Sequence, residues 1–183
     1  VDMGKGVRTT SAALKALGLA VSDCDGILVT HEHSDHVKGL STFLKKDPLP
    51  VYGAAATLDF LDANGIVPVS CEMHSVSGGE EDIGDFGVTA FPTSHDVPCV
   101  GYRIHTPDGK TMTIATDLGV LTPPVHEALS GCDPELFSEG LRISLYNYMN
   151  GTGFDLPLHK WFGGMKVPRT TLPPNYIERI VEE

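Results

Sequence analysis

The sequence predicts an α/β fold, and three features of its patterning carry that prediction. Predicted helices alternate with short apolar strands between residues 9 and 65, whereas residues 66–116 have the pattern of a mostly antiparallel block of strands. One further helix is predicted near residues 124–130. A chain of 183 residues suits one domain with a core of its own, so we expect a single domain over residues 1–183.

The early elements follow from hydrophobic spacing and from helix start and stop signals. Residues 9–19 have apolar side chains at helical spacing between a run of capping residues and a glycine, which predicts a short helix. Residues 26–30 predict a buried strand, and residues 36–46 predict a helix with two lysines in its last turn. A short strand at Val51-Tyr52 and a helix over residues 54–63 complete this part.

The later elements are predicted from turn residues. The segment Pro107-Asp108-Gly109-Lys110 predicts a hairpin between a strand over Val100–His105 and a strand over Thr111–Ala115. A preceding strand is expected over Val88–Phe91. The pair Pro123-Pro124 predicts the start of the last helix, because proline suits the first helical turn.

Composition narrows the classes of function and the expected location. The formal net charge is −11, which argues against long-range attraction to nucleic acid or to an anionic membrane. No apolar run approaches the roughly 20 residues that span a bilayer, and we expect no membrane partner.

The four cysteines include no closely spaced pair, which favours reduced thiols in the cytoplasm over a disulfide framework. The sequence opens on Val1, so we expect its true start to be missing or processed.

The strongest chemical signal is the run Thr30-His31-Glu32-His33-Ser34-Asp35-His36. It places three imidazoles and the Asp35 carboxylate within six residues, soon after the apolar run Ile27-Leu28-Val29. Histidine is the commonest metal ligand, and zinc accepts imidazole and carboxylate together. A solvated polar turn is the alternative reading, but this density of ligands favours a metal site.

The spacing of these ligands indicates that one loop serves two metals. His31 and His33 are two residues apart, so an extended backbone directs both imidazoles to the same side. A binuclear site needs further ligands, and two candidates follow apolar strands: His95 in Pro92-Thr93-Ser94-His95-Asp96 and Asp117 in Ala115-Thr116-Asp117-Leu118-Gly119. Alone, each would be read as an ordinary surface or turn residue. The ordered set favours ligation.

These motifs resemble the metallo-β-lactamase fold superfamily. The pattern His-x-His-x-Asp-His after an apolar strand is similar to its signature, and Ser94-His95-Asp96 and Thr116-Asp117-Leu118-Gly119 match its next two motifs in order. Asp2-Met3-Gly4 resembles the Asp-x-Gly motif that precedes the histidine loop. The resemblance covers residues 1 to about 132. The residues of these motifs are similar to those of a bacterial branch of exonuclease-like hydrolases linked to cell-wall regulation.

The resemblance implies a four-layer αββα sandwich. It also implies that the first strands of the superfamily are missing and that residues 133–183 are atypical. The last histidine of the superfamily has no counterpart here, since the context of His159 does not match.

By the same resemblance the metal ligands are assigned residue by residue. The first metal would be bound by His31, His33 and His95, the second by Asp35 and His36, and both by Asp117. Asp35 and Asp117 are the expected catalytic residues, and Asp2 would orient the histidine loop. Two Zn²⁺ ions are expected, with manganese or iron as alternatives.

The implied activity is that of a metal-dependent hydrolase whose metal-bound hydroxide attacks phosphodiesters, with nucleic acid as substrate. Hydrolysis of a small-molecule ester, thioester or lactam is the enzymatic alternative. A metal-binding remnant without activity is the third reading. The sequence leaves oligomerisation open.

Overall fold

The computed structural model describes residues 1–132. The expected atypical part, residues 133–183 with His159, lies outside the described residues. The described helices are α1 (Val7–Ala16), α2 (Ser34–Val37), α3 (Leu40–Lys46), α4 (Ala55–Ala63) and α5 (Pro123–Leu129), with one 3₁₀ turn at Val21–Asp23. The described strands are β1 (Ile27–Val29), β2 (Val51–Gly53), β3 (Met73–Ser75), β4 (Glu80–Ile83), β5 (Phe86–Thr93), β6 (Cys99–His105) and β7 (Thr111–Ile114).

The strands form two sheets of different type. The first sheet has the order β1-β2-β3, and its strands are parallel. The second has the order β4-β5-β6-β7, and its strands are antiparallel. Asp2 lies beside β1, where its backbone N–H donates to Leu28 O at 2.7 Å.

Three apolar clusters order the elements into layers. Helices α3 and α4 cover one face of the first sheet through Leu40, Phe43, Leu44, Leu58 and Leu61. The two sheets face each other through a second cluster, in which Leu28 and Tyr52 meet Val88, Tyr102 and Ile104. Helix α5 covers the outer face of the second sheet by packing against Phe91. The predicted order of helix, sheet, sheet and helix is confirmed in the described residues.

Most of the predicted elements are confirmed, including the hairpin between β6 and β7. The helix predicted over residues 36–46 was wrong as one element, because the structure has two helices, α2 and α3, separated at Lys38 and Gly39. Gly39 N donates to Met3 O at 2.9 Å, so the chain start packs against this break. Strand β3 was also unexpected, since it joins the parallel sheet rather than the antiparallel block.

Within residues 1–132, none of the helices combines the length and the apolar character that crossing a bilayer requires.

Candidate metal centre

The candidate ligands lie where strands of both sheets end. The histidine loop follows β1 of the first sheet, His95 comes two residues after β5, and Asp117 comes three residues after β7. Val100 N donates to Thr30 O at 3.1 Å and thereby joins the second sheet to the start of the histidine loop. Residues that are up to 86 positions apart in the sequence are therefore brought to one place.

The structure places five of the six predicted ligands in two overlapping groups. His31, His33 and His95 form one group, and His31, His36 and Asp117 form the other, with the ligand atoms of each group within 4.8 Å of one another. His33 Nδ1 and His95 Nε2 are 3.1 Å apart. The ring centroids of His31, His33 and His95 are 4.7 to 4.9 Å apart. Such a convergence of imidazoles on one volume is the arrangement that a multi-histidine metal site requires.

His31 is the fully buried member that both groups share. Its Nδ1 lies 3.0 Å from Thr30 Oγ1, and that hydroxyl also lies 2.9 Å from Asp2 Oδ2. The ionised carboxylate only accepts, so Thr30 donates to Asp2 and in turn accepts from His31 Nδ1–H. This arrangement leaves the lone pair on His31 Nε2, which is buried and has no hydrogen-bond partner among the described residues.

The electrostatic surroundings keep the His31 ring neutral. Burial, together with the charge of the neighbouring His36 ring, lowers the pKa of His31 to about 4, although the Asp117 carboxylate acts in the opposite direction. A neutral imidazole with a free lone pair is the form that binds a metal.

His36 lies between two carboxylates. Its Nδ1 is 2.7 Å from Asp2 Oδ2, and its Nε2 is 3.1 Å from Asp117 Oδ2. Burial opposes protonation of this ring, but the hydrogen bonds and charges of Asp117 and Asp2 outweigh it and raise the pKa of His36 to about 10. The pKa of Asp117 is lowered, because the hydrogen bond and charge of His36 overcome the effect of burial. A bound cation would replace the proton on Nε2 between these partners.

The two carboxylates share an uncommon backbone conformation. Asp2 has a φ of 56° and Asp117 a φ of 53°, and no other non-glycine residue in the described part of the chain has a positive φ. Aspartate tolerates this region better than most residues, yet it remains sparsely populated. Such conformations concentrate at functional sites, where the surrounding structure holds them in place.

Asp35 and Asp96 stand at the edge of the cluster. The Asp35 side chain is 77% exposed, its Oδ2 is 3.7 Å from His36 Nε2, and it belongs to neither group. Asp96 was missed in the sequence as a site residue, although its Oδ1 is 3.2 Å from His95 Nε2 and 3.5 Å from His33 Nε2. Only its position directly after His95 could have drawn attention to it. Thr30 was likewise given no role, because a hydroxyl before a histidine has no distinctive signal.

An open pocket of about 340 Å³ adjoins the cluster. It is lined by Ser94, His95, Asp96, Asp117 and Gly119. Gly119 N donates to Ser94 O at 2.7 Å, which ties the His95 and Asp117 loops together. A substrate that enters here would meet ligands from both groups.

Each of the two overlapping groups could hold a metal ion. The donor set of imidazole and carboxylate suits zinc and other first-row divalent metals. The unpartnered His31 Nε2 would be costly to bury without a ligand. Asp2 holds His36 directly and His31 through Thr30, as carboxylates beside metal-binding histidines commonly do.

Comparisons with known proteins agree with this architecture. The exodeoxyribonuclease YycJ of Bacillus anthracis is 32% identical over 153 residues, which are 80% of this chain and 58% of that protein. The ribonuclease Z of Methanopyrus kandleri is 36% identical over 118 residues, which are 58% of this chain and 39% of that protein. The matched part of the chain thus spans 58% of the first relative and 39% of the second.

A solved structure shares the fold at lower identity. The metallo-beta-lactamase fold protein YhfI of Bacillus subtilis superposes with a TM-score of 0.58 at 18% identity, over 72% of this chain and 55% of that one. A family model described as the beta-lactamase superfamily domain matches residues 1–146. The chain therefore belongs to the beta-lactamase superfamily and has the metallo-β-lactamase fold.

Proposed function

We propose that this chain is a metal-dependent phosphodiester hydrolase that acts on nucleic acid. The observation that carries the proposal is the convergence of His33, His36, His95 and Asp117 around the buried His31, at the ends of strands from both sheets. Catalysis of diester hydrolysis needs a concentrated positive charge beside the substrate. Bound metal ions would carry that charge, and the side chains of this cluster would be their ligands.

The proposed ligands are the six residues predicted from the sequence. His31, His33 and His95 would hold one metal, while His36 and Asp35 would hold the other, with Asp117 shared between them. Asp35 is retained because it is the exposed carboxylate next to His36 Nε2. Zinc is the proposed metal, since its preferred nitrogen and oxygen donors are all present. Manganese and iron accept the same donors.

Metal ions bound here would lower the pKa of a water molecule toward about 7 and offset negative charge that develops on the substrate. The chain's own residues prepare the site. Asp2 and Thr30 hold His31 in the neutral tautomer that carries its proton on Nδ1, and Asp2 also orients His36. Asp117 and Asp35 are the proposed catalytic residues, because both present carboxylate oxygens beside His36 Nε2 and Asp117 also lines the open pocket.

The substrate class is inferred from relatives. Several of the similar proteins act on nucleic acid by name, among them the exodeoxyribonucleases YycJ and WalJ and the ribonucleases Z and BN. The relative with the widest coverage of this chain among them is an exodeoxyribonuclease, so DNA is the proposed substrate.

The test combines metal content with turnover. We expect elemental mass spectrometry of the purified chain to find two zinc ions per chain, and the loaded protein to cleave both bis(p-nitrophenyl) phosphate and a labelled DNA oligonucleotide. His33→Ala should lose a metal and at least about 100-fold in turnover. His126→Ala is the matched control, because His126 is an exposed histidine on α5. Metal binding without diester cleavage above the His33→Ala background would contradict the proposal.

A reducing compartment, the cytoplasm, is the proposed location. The structure has no disulfide among the four cysteines, Cys24, Cys71, Cys99 and Cys132. A lack of disulfides is typical of proteins in reducing compartments.

A further inference from the structure

Positive charge is distributed unevenly along this acidic chain. Of the eight lysine and arginine residues within residues 1–132, six lie in the first 46, where five acidic residues accompany them. Residues 47–132 contain two basic residues against twelve acidic ones. The net charge of −11 therefore hides a local excess of cations on α1, α2, α3 and the segments between them.

Packing brings two of these cations together beside the histidine loop. Met3 N donates to His36 O at 2.7 Å, and Gly39 N donates to Met3 O at 2.9 Å. A Cβ atom on Gly39 would collide with Lys5 O, so the backbones of Lys5 and Gly39 are in direct contact. Lys38 precedes Gly39, so its backbone lies one residue from this contact with Lys5, although 33 positions separate the two lysines in the sequence.

The same geometry connects this pair to the metal centre. Lys38 caps α2 with a helical backbone and lies three residues after Asp35. Residues at this spacing are neighbours on one helix face, with Cβ atoms about 5–6 Å apart. Asp35 in turn lies beside His36. Lys38 is therefore one helical turn from the edge of the proposed site.

Arg8 extends the group along α1. Lys5, Arg8 and Lys38 are all exposed, and none of them forms an ion pair with another residue that the structure describes. Arg8 occupies the first turn of α1, which contains no acidic residue. A cation there opposes the helix dipole. Its position is thus not explained by the stability of the helix, whereas recognition of an anion would explain it.

We infer that Lys5, Arg8 and Lys38, named here the α1–α2 patch, bind the phosphate backbone of a DNA strand that leads into the candidate metal centre. This inference rests on the proposed function and adds the surface on which the substrate lies. The α1–α2 patch explains how a chain with a net negative charge would act on an anionic polymer, because most of its acidic residues lie outside the elements that form the patch. Backbone contacts of this kind position a strand without reading its sequence.

The test measures the salt dependence of binding. A fluorescein-labelled single-stranded DNA oligonucleotide is titrated with protein in EDTA, so that no cleavage occurs, and the affinity is followed by anisotropy over a range of salt concentrations. Each neutralised phosphate on a single strand contributes about 0.7 to the slope of log K against log salt. The slope is negative, and we expect Lys5→Gln/Arg8→Gln/Lys38→Gln to reduce its magnitude by about 2.

A matched control removes the same charge from the opposite ends of the same region. Lys15 lies in the last turn of α1, and Lys45 and Lys46 lie in the last turn of α3. Lys15→Gln/Lys45→Gln/Lys46→Gln should therefore retain the wild-type slope. Lys5→Arg/Lys38→Arg, which keeps the charge, should retain it as well. Thermal unfolding of each variant establishes that it is folded.

The outcomes separate this inference from the proposed function. A similar loss of slope in both triple glutamine variants, or no loss in either, would overturn the α1–α2 patch. Failure of the metal-loaded wild-type protein to cleave bis(p-nitrophenyl) phosphate would instead overturn the proposed function, because that small diester has no strand to lie on the patch. Wild-type cleavage of the small diester without measurable oligonucleotide binding would overturn the patch alone.

Discussion

At the scale of single residues, the site depends on a short chain of hydrogen bonds. Asp2 accepts from the Thr30 backbone N–H at 2.8 Å and from its hydroxyl at 2.9 Å, and that hydroxyl contacts His31 Nδ1 at 3.0 Å. Thr30 is fully buried. The Thr30 hydroxyl therefore links Asp2 to the His31 ring, which Asp2 does not contact directly. The metal affinity of the site should depend on this hydroxyl.

Thr30→Val tests this dependence. The substitution keeps the shape of the side chain but removes the acceptor for His31 Nδ1–H, so the ring is free to adopt the wrong tautomer. We expect zinc affinity, measured by competition with a chelator, to fall about 10–100-fold. Thr30→Ser should retain most of it.

Thr57 offers a matched control for that experiment. It is another fully buried threonine, and its Oγ1 has no hydrogen-bond partner among the described residues. Thr57→Val should leave zinc affinity unchanged. An equal loss of affinity in both valine variants would mean that Thr30 acts through general stability.

His31 and His36 predict how the stability of the metal-free protein varies with pH. The folded-state pKa of His36 is about 10, above its ordinary value of 6.5, so its contribution is complete below pH 6.5 and is lost as pH rises through 10. The folded-state pKa of His31 is about 4, so the unfolded chain binds more protons between pH 4 and 6.5 and stability rises with pH there.

The free energy of unfolding in EDTA should therefore be highest near pH 6.5. On the acid limb, below this maximum, and on the alkaline limb, above it, the free energy of unfolding should change by up to about 1.4 kcal/mol per pH unit. Denaturant titrations at several pH values measure it. His36→Gln should flatten the alkaline limb, whereas His126→Gln on the exposed face of α5 should not. An unchanged alkaline limb in His36→Gln would mean that another group produces it.

At the scale of elements, the site depends on close contact between the segment around Asp2 and helix α2. A Cβ atom on Gly4 would collide with the carbonyl oxygen of Asp35. Gly4→Ala should therefore push the segment away from α2 and separate Asp2 from His36. We expect a loss of at least about 1–3 kcal/mol in the free energy of unfolding, together with weaker zinc binding.

Gly6→Ala is the control for that change. A Cβ atom on Gly6 would meet nothing within 4 Å, and its φ of −70° suits any residue. Denaturant titration and chelator competition should find it close to the wild type in both stability and zinc affinity. Tolerance of alanine at Gly4 would show that the contact with α2 is not required.

The sequence predicts local features of these elements well and long-range features poorly. The histidine loop, His95 and Asp117 could be predicted because each motif follows an apolar strand whose end is recognisable. The break between α2 and α3 could not, because it depends on contact between Gly39 and the backbone of Met3 and Lys5. The parallel pairing of β3 with β2 is likewise a tertiary choice that three residues cannot specify alone.

At the scale of the whole molecule, the candidate metal centre lies at the junction of the two sheets, so its geometry depends on how the sheets are joined. Tyr102 on β6 is fully buried, and its hydroxyl donates to Val29 O at 2.5 Å. Val29 is the last residue of β1, immediately before Thr30. This hydrogen bond therefore fixes the second sheet to the strand that leads into the histidine loop.

Tyr102→Phe removes that link without creating a large cavity. We expect the free energy of unfolding to fall by about 1–2 kcal/mol, because a buried carbonyl loses a hydrogen bond. Zinc affinity should fall as well, since the sheets carry His31 and His95 separately. Tyr52→Phe is the matched control, because Tyr52 is only half-buried and its ring stacks on His74. If Tyr102→Phe lowers stability but leaves zinc affinity at the wild-type value, the backbone bond from Val100 to Thr30 suffices to hold the two halves of the site together.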